Sequence, residues 1–270
     1  MISPTEILRA AIPAAIAAGK AIMEIYGRPT EEWGVEEKAD HSPLTKADLA
    51  ANTVITEALS KTPWPILSEE GAQKPYEERR AWDTLWVVDP LDGTKEFLKR
   101  NGEFTVNIAL VENGSPVAGV IYVPVTQTLY FGVVGLGAYK LGDASVAKDE
   151  AKMIRSAQRL PAERTASEYI VVASRSHINA ETQAFIDELR KDHPHLEQIS
   201  AGSSLKLCRV AEGSADVYPR FAPTMEWDTA AGDAIVRAAG GTVVDATAKE
   251  PLVYNKEDLH NPFFIVEMNK

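Results

Sequence analysis

The sequence predicts a layered protein with an α+β first half and an α/β second half on a mixed sheet. Three observations carry this. Residues 5–26 hold Ala, Ile and Leu at helical spacing. Between residues 104 and 141 short apolar runs follow one another across turn residues, the pattern of an antiparallel meander. From residue 169 onward strand-like and helix-like segments alternate. Residues 142–167 are charged and weakly patterned, so the boundary falls there and divides the chain into 1–152 and 153–270.

The first helix ends at Gly27, a suitable residue just past a C-terminus, and Pro13 inside it predicts a kink or an irregular lead-in. Residues 38–44 form a turn-rich loop. Thr45 then caps a helix running to about Ser60, with Asp48 three residues on in the pattern of a capping box. Residues 66–68 read as a short strand that delivers Glu69 and Glu70. Residues 85–88 read as a buried strand entering the tight turn Asp89-Pro90-Leu91-Asp92-Gly93, after which Thr94 opens a short helix. Asn113-Gly114 between the runs 104–111 and 117–123 is a strong hairpin signal, and 128–134 and 137–141 continue the meander. In the second half, strands at 169–173, 197–200, 216–220, 242–244 and 263–266 alternate with helices at 180–190, 205–212 and 229–239.

The formal net charge of −11 and the lack of a basic stripe exclude a nucleic-acid polymer as partner. That charge suits an anionic substrate only if metal ions reverse the local field. The single cysteine, Cys208, forms no internal disulfide, which fits a reducing cytoplasm; its default place is a buried apolar one. No apolar run is long enough to span a bilayer, and the N-terminal stretch lacks a basic lead and a cleavage site, so it reads as a helix.

Asp89 and Asp92 at the end of one strand repel each other and cost desolvation energy unless a cation lies between them. A hard divalent metal is the simplest remedy, and Mg²⁺ takes oxygen ligands. Pro90 supplies no N–H, Gly93 permits a left-handed backbone or close approach of a ligand, and the N–H groups of Gly93 and Thr94 face an anion. Such a cradle points to phosphate chemistry.

Asp89-Pro90-Leu91-Asp92-Gly93-Thr94 resembles a signature of the lithium-sensitive, Mg²⁺-dependent phosphatases of the inositol monophosphatase superfamily. Glu226-Trp227-Asp228-Thr229-Ala230-Ala231-Gly232 resembles a second signature of the same family. The resemblance implies the sugar-phosphatase fold and two to three Mg²⁺ ions. In the family pattern Asp89 bridges two ions, Glu69 and the Leu91 carbonyl complete one, and Asp92 with Asp228 complete the other. A third, looser ion lies near Glu69. The pattern selects Glu69 over Glu70, which reads as a supporting or solvated residue. Asp48 has two compatible readings: the capping box with Thr45, and the family's Thr-x-x-Asp motif, whose Asp bonds Thr94 so that the pair orients the attacking water.

Inositol phosphatases usually continue the central turn as Thr-Asn-Phe, whereas this chain has Lys95-Glu96-Phe97. That run, with residues 101–109 and Ser174-Arg175-Ser176-His177, resembles the 3′(2′),5′-bisphosphate nucleotidase branch of the superfamily. Gly202-Ser203-Ser204-Leu205-Lys206, Tyr218-Pro219-Arg220-Phe221 and the loop 38–48 resemble it too. The expected substrate is therefore a small phosphorylated nucleotide. Ser203 and Ser204 at a helix N-terminus offer donors to the phosphate that is not cleaved, and Lys206 and Arg220 neutralise it. Lys206 reads alternatively as a solvent-exposed helix lysine, and His177 as a sugar or base contact or a structural residue. Arg220, among apolar neighbours, calls for a partner. The implied activity is removal of the 3′-phosphate of adenosine 3′,5′-bisphosphate, and of phosphoadenosine phosphosulfate. The rivals are an inositol or sugar monophosphatase on the same metal core and a nucleotide-binding regulator without turnover.

Overall fold

The structure, a computed structural model, describes residues 4–39, 41–72, 74–163, 168–174 and 178–269. Helix α1 (Pro4–Tyr26) runs through Pro13 and begins before it, so the expected irregular lead-in is absent. Pro13 is exposed, as is Arg9, the residue whose carbonyl would otherwise accept from position 13. The short pair β1 (Glu36–Glu37) and β2 (Pro43–Leu44) precedes α2 (Lys46–Leu59), whose capping box joins Thr45 and Asp48 as expected. Then come β3 (Ile66–Ser68), the single turn α3 (Tyr76–Arg79), β4 (Thr84–Asp92) and α4 (Thr94–Leu98). Strand β4 continues through the central motif instead of ending at Val88. Asp89 still pairs with Asn107, and the register shifts before Asp92 meets Thr105, where Pro90 has no N–H to give the ladder.

Strands β5 (Thr105–Glu112), β6 (Ser115–Val123), β7 (Thr128–Val133) and β8 (Gly137–Leu141) complete the meander. Asn113 and Gly114 both have positive φ, 50° and 74°, as the two-residue turn demands. The weakly patterned region holds α5 (Glu150–Ser156) and β9 (Gln158–Leu160), and β9 adds an edge to the first sheet beyond residue 152. That sheet runs β3-β4-β5-β6-β7-β8-β9, antiparallel except between β3 and β4.

The rest is β10 (Ile170–Ala173), α6 (Ala180–Asp192), β11 (Glu197–Ser200), α7 (Leu205–Ala211) and β12 (Val217–Arg220), then α8 (Glu226–Ala238), β13 (Gly241–Asp245) and β14 (Phe264–Met268). The second sheet, β11-β10-β12-β14-β13, is mixed as expected. Helix α8 starts three residues earlier than its apolar pattern suggests, because Asp228 at its third position accepts from the Met225 N–H and caps it.

The layers follow from strand alternation. One face of the first sheet, with Trp86, Val88, Ile108 and Val120, packs on α1 and α2. The opposite face, with Val87, Ala109 and Ile121, packs on α7 and α8, which in turn meet Val172, Tyr218 and Phe264 of the second sheet. Val171, Val217 and Ile265 then face Ile186 of α6. Gly119 allows the first sheet to approach α8 closely: a Cβ there would lie 2.2 Å from the Ala231 carbonyl oxygen. Among the described residues no helix is long and apolar enough to cross a membrane.

Candidate metal centre and active site

The site forms where β4 ends and α7 and α8 begin. Asp89 and Asp92 stand on the last turn of β4, and Asp228 on the first turn of α8. Among the described residues these three form a group in which one carboxylate oxygen from each lies within 4.8 Å of the others. Each is fixed by neighbours. Asp89 Oδ1 accepts from the Leu91 N–H at 3.0 Å, Asp92 Oδ2 from the Ser204 N–H at 2.6 Å and Asn107 Nδ2 at 3.3 Å, and Asp228 Oδ2 from the Met225 N–H at 2.9 Å.

Burial and mutual repulsion dominate the electrostatics. Burial raises the Asp89 carboxyl well above its ordinary range, and Glu69, Asp92, Asp228 and Asp48 add to the rise. Burial pushes Asp92 up to about 6, held back by Lys206 and by the Asn107 and Ser204 hydrogen bonds. Burial, then Asp92, push Asp228 up to about 8. Converging like charges with oxygen donors suit a hard divalent cation, which would reverse each of these shifts. The donor set therefore fits the metal that the sequence implied.

The other expected ligands lie differently. The Glu69 carboxylate is outside the three-aspartate group; Lys38 Nζ donates to it at 2.7 Å and also to Glu70. Glu70, expected to be supporting or solvated, has a side chain only 6 % exposed and is paired rather than solvated. Leu91 is buried, and its carbonyl lies 3.5 Å from Thr94 Oγ1.

Asp48 joins both of its readings. Its Oδ2 accepts from the Thr45 N–H at 2.8 Å and Thr45 Oγ1 at 2.6 Å, while Oδ1 accepts from Thr94 Oγ1 at 3.1 Å. Burial raises its carboxyl, partly offset by those bonds. Gly93 precedes Thr94 at φ 95°, and a Cβ there would lie 2.1 Å from Ser203 Oγ, so the turn requires glycine twice over.

A cleft of about 280 Å³ opens beside the aspartates, lined among others by Gly93, Glu96, Lys99, Ser203, Lys206 and Arg220. Ser203 Oγ donates to the backbone carbonyls of Asp92 and Glu103, at 2.9 and 2.7 Å. Ser204 lies off the cleft, its hydroxyl bonded to Thr105 and Asn107 and its N–H to Asp92. These two serines thus fasten α7 to β4 and β5. Lys206 is buried, not a solvated helix lysine; burial lowers it to about 8, with Asp92 opposing, and its Nζ donates to the Ala201 and Ser203 carbonyls at 3.2 and 2.7 Å. Arg220 donates from Nη2 to the Pro223 carbonyl at 3.1 Å, while its buried Nε has no hydrogen-bond partner. His177 lies outside the described residues.

Two contributors escaped sequence reasoning. Asn107 braces Asp92, and its signal is an amide within an otherwise apolar strand. Lys38 neutralises Glu69 and Glu70 from a loop, with nothing local to announce it.

Aspartates converging from two elements, beside a carboxylate–hydroxyl pair, define a metal-dependent phosphatase. The chain belongs to the inositol monophosphatase family, whose family model matches residues 3–263. Over 254 residues it is 46 % identical to the 3′(2′),5′-bisphosphate nucleotidase CysQ of Escherichia coli strain K12, covering 93 % of this chain and 95 % of that one. The same enzyme of Haemophilus influenzae is 34 % identical, covering 93 % and 89 %. The crystal structure of CysQ from Bacteroides thetaiotaomicron superposes with a TM-score of 0.90 at 56 % identity, over 98 % of both chains. The suhB protein of Bartonella henselae superposes with a TM-score of 0.74 at 27 % identity, over 98 % of this chain and 94 % of the other.

Proposed function

We propose that this chain is a Mg²⁺-dependent phosphomonoesterase of the cytoplasm that converts adenosine 3′,5′-bisphosphate to AMP and phosphate. It would also act on phosphoadenosine phosphosulfate, serve sulfur assimilation and be inhibited by Li⁺. The observation that carries the reading is the three-aspartate cluster, with Asp92 and Asp228 lining a cleft that also holds Arg220 and Asp89 close enough to feel the charge of Asp48, which Thr94 bonds. The likeness to nucleotidases over nearly the whole chain supports the choice of substrate.

Asp89, Asp92 and Asp228, with Glu69 and the Leu91 carbonyl, would hold two to three ions. When bound, Mg²⁺ supplies charge neutralisation at the phosphoryl oxygens and a lowered pKa for water. The chain's own groups do the rest. The Thr94 hydroxyl donates a hydrogen bond to Asp48 Oδ1, leaving its oxygen lone pairs to accept from the attacking water. Asp48, raised by burial, is suited to take up the proton that water releases. The Gly93 and Thr94 N–H groups stand at a turn open to an anion. Arg220 offers a guanidinium to the phosphate that stays, while Lys206 and the serines hold the wall of the cleft. His177 is carried as a sugar or base contact.

Phosphate release from adenosine 3′,5′-bisphosphate and from inositol 1-phosphate, each with Mg²⁺ and with or without Li⁺, tests this. Preference for the nucleotide, lost in Arg220→Ala, is expected. Preference for inositol 1-phosphate would overturn the substrate, and tight nucleotide binding without release would make the chain a regulator.

A further inference from the structure

Met225, the residue on which Asp228 leans, is itself held by a residue that neither signature contains. Met225 donates its N–H to Asp228 Oδ2, and its carbonyl accepts from Asn261 Nδ2 at 2.7 Å. The same amide nitrogen lies 3.1 Å from Thr224 Oγ1 and 3.0 Å from Thr229 Oγ1, so it bonds on both sides of Asp228 along the chain. A carbonyl acceptor at Met225 fixes the amide orientation, since a flipped Asn261 would set oxygen against oxygen. That orientation leaves Asn261 Oδ1 buried without a partner. A buried unsatisfied oxygen is costly, and a packed apolar residue would avoid it. Keeping the asparagine therefore calls for a gain elsewhere.

The loop bearing Asn261 is anchored for this purpose. The Asn261 N–H donates to the Thr224 carbonyl at 2.9 Å, and the Glu226 N–H to the Leu259 carbonyl at 3.0 Å. The fully buried Glu226 carboxylate accepts the N–H groups of Asn255 and Lys256, at 2.5 and 3.0 Å, and Lys256 Nζ at 2.5 Å. Two ties from one loop thus hold the first turn of α8.

We propose that Asn261 is a positioning residue: it fixes Met225 and, through the Met225 N–H, the Asp228 carboxylate in the metal centre. The inference rests on reading Asp228 as a metal ligand. Without the Asn261 amide the Met225 carbonyl loses its side-chain donor, Met225 is held by backbone bonds alone, and its N–H must be ordered anew against Asp228 whenever a cation binds. The loss should appear in metal affinity, beyond any loss of stability.

The test uses Mn²⁺ as a spectroscopic stand-in for Mg²⁺. Binding to the nucleotide-free full chain is measured by electron paramagnetic resonance, with melting followed in parallel. Asn261→Leu removes the donor at similar volume, and Asn261→Asp keeps the shape while removing the donor; either serves if the other fails to fold. Glu212→Gln, in a buried polar cluster away from the aspartates, controls for destabilisation alone. The expected result is a Kd for Mn²⁺ at least about tenfold weaker in the Asn261 variants and within twofold of wild type in Glu212→Gln, at equal fractions folded. Asn261 variants that melt earlier yet bind Mn²⁺ within twofold of wild type would overturn the inference. Because no nucleotide is present, a failure of the proposed substrate shows separately, as wild-type protein that binds Mn²⁺ but releases no phosphate.

Discussion

The two ends of α7 hold buried carboxylates in opposite circumstances. At its N-terminal end Asp92 faces Asp89 and Asp228, and burial with like charge drives all three carboxyls upward. At its C-terminal end, about 10 Å away along the axis, Glu212 is buried too but fully provided for. Lys140 Nζ and Tyr130 OH bond its Oε2 at 2.6 and 3.1 Å, and Arg209 and Ser214 bond its Oε1, each at 2.9 Å. Burial pushes Glu212 up, but Lys140 and Arg209 outweigh it and the carboxyl falls below its ordinary range. Glu212 is balanced by the protein's own cations and ties the first sheet to α7. The aspartates are left unbalanced, which is what a cation-binding centre requires. Burial is common to both ends; the sign of the surrounding charge separates structure from chemistry.

Substitutions should divide along that line. Asp228→Asn keeps an acceptor for the Met225 N–H but removes the charge. We expect phosphate release to fall by roughly 10²–10³-fold, comparable to removing a pre-aligned electrostatic contact. Melting of the metal-free chain should stay level or rise as repulsion is relieved; a fall in both activity and melting would erase the contrast. Thr94→Ala should lower the rate by about 10²-fold with little change in Mn²⁺ binding, because it removes the hydroxyl that links the attacking water to Asp48 and spares the aspartates.

Glu212→Ala should do the reverse. It leaves Lys140 and Arg209 without their partner, and because both reach water the cost should be about 2 kcal/mol of stability, below the range for a fully buried pair. Activity below the melting transition should be unchanged, and a matching loss of activity would show that the two ends are coupled.

The smallest effect is also the sharpest. The folded-state carboxyls of Asp92 and Asp228, about 6 and 8, exceed the unfolded value of 3.8. The folded chain then binds more protons, and without metal their contribution to stability is lost as pH rises from about 4 to 8. Glu212 has the opposite sign: its contribution is present above the unfolded value of 4.5 and lost as pH falls through the lowered one. Melting with and without Mg²⁺ should therefore diverge toward pH 8 and converge toward pH 5. A Mg²⁺ increment independent of pH would contradict the assignment of the raised carboxyls.

Local features were legible. The capping box at Thr45, the hairpin at Asn113-Gly114, the turn at Gly93 and the meander all depend on residues within a few positions of one another. The second-half elements and the mixed sheet followed from periodicity. Less was visible where a segment's role comes from what it packs against. Strand β9 is three residues joined to the edge of a sheet, and β4 carries on past Val88 because Asn107 and Thr105 are opposite to receive it. Ser203 and Ser204 looked like phosphate donors from their place before a helix. Their partners are instead Asp92, Glu103, Thr105 and Asn107, distant in sequence.

The sequence by itself determined the family, the layered class of fold and the identity of the acidic residues, because short signatures with fixed spacing specify turns, caps and the ends of strands. Only the tertiary structure decided which carboxylates meet without a counter-charge and which are neutralised. It set Lys38 on Glu69 and Glu70, buried Lys206 against its own loop, balanced Glu212 and placed Asn261 beneath Asp228. Charge balance in a protein interior is a sum over all neighbours in space, and most of those neighbours lie far away along the chain.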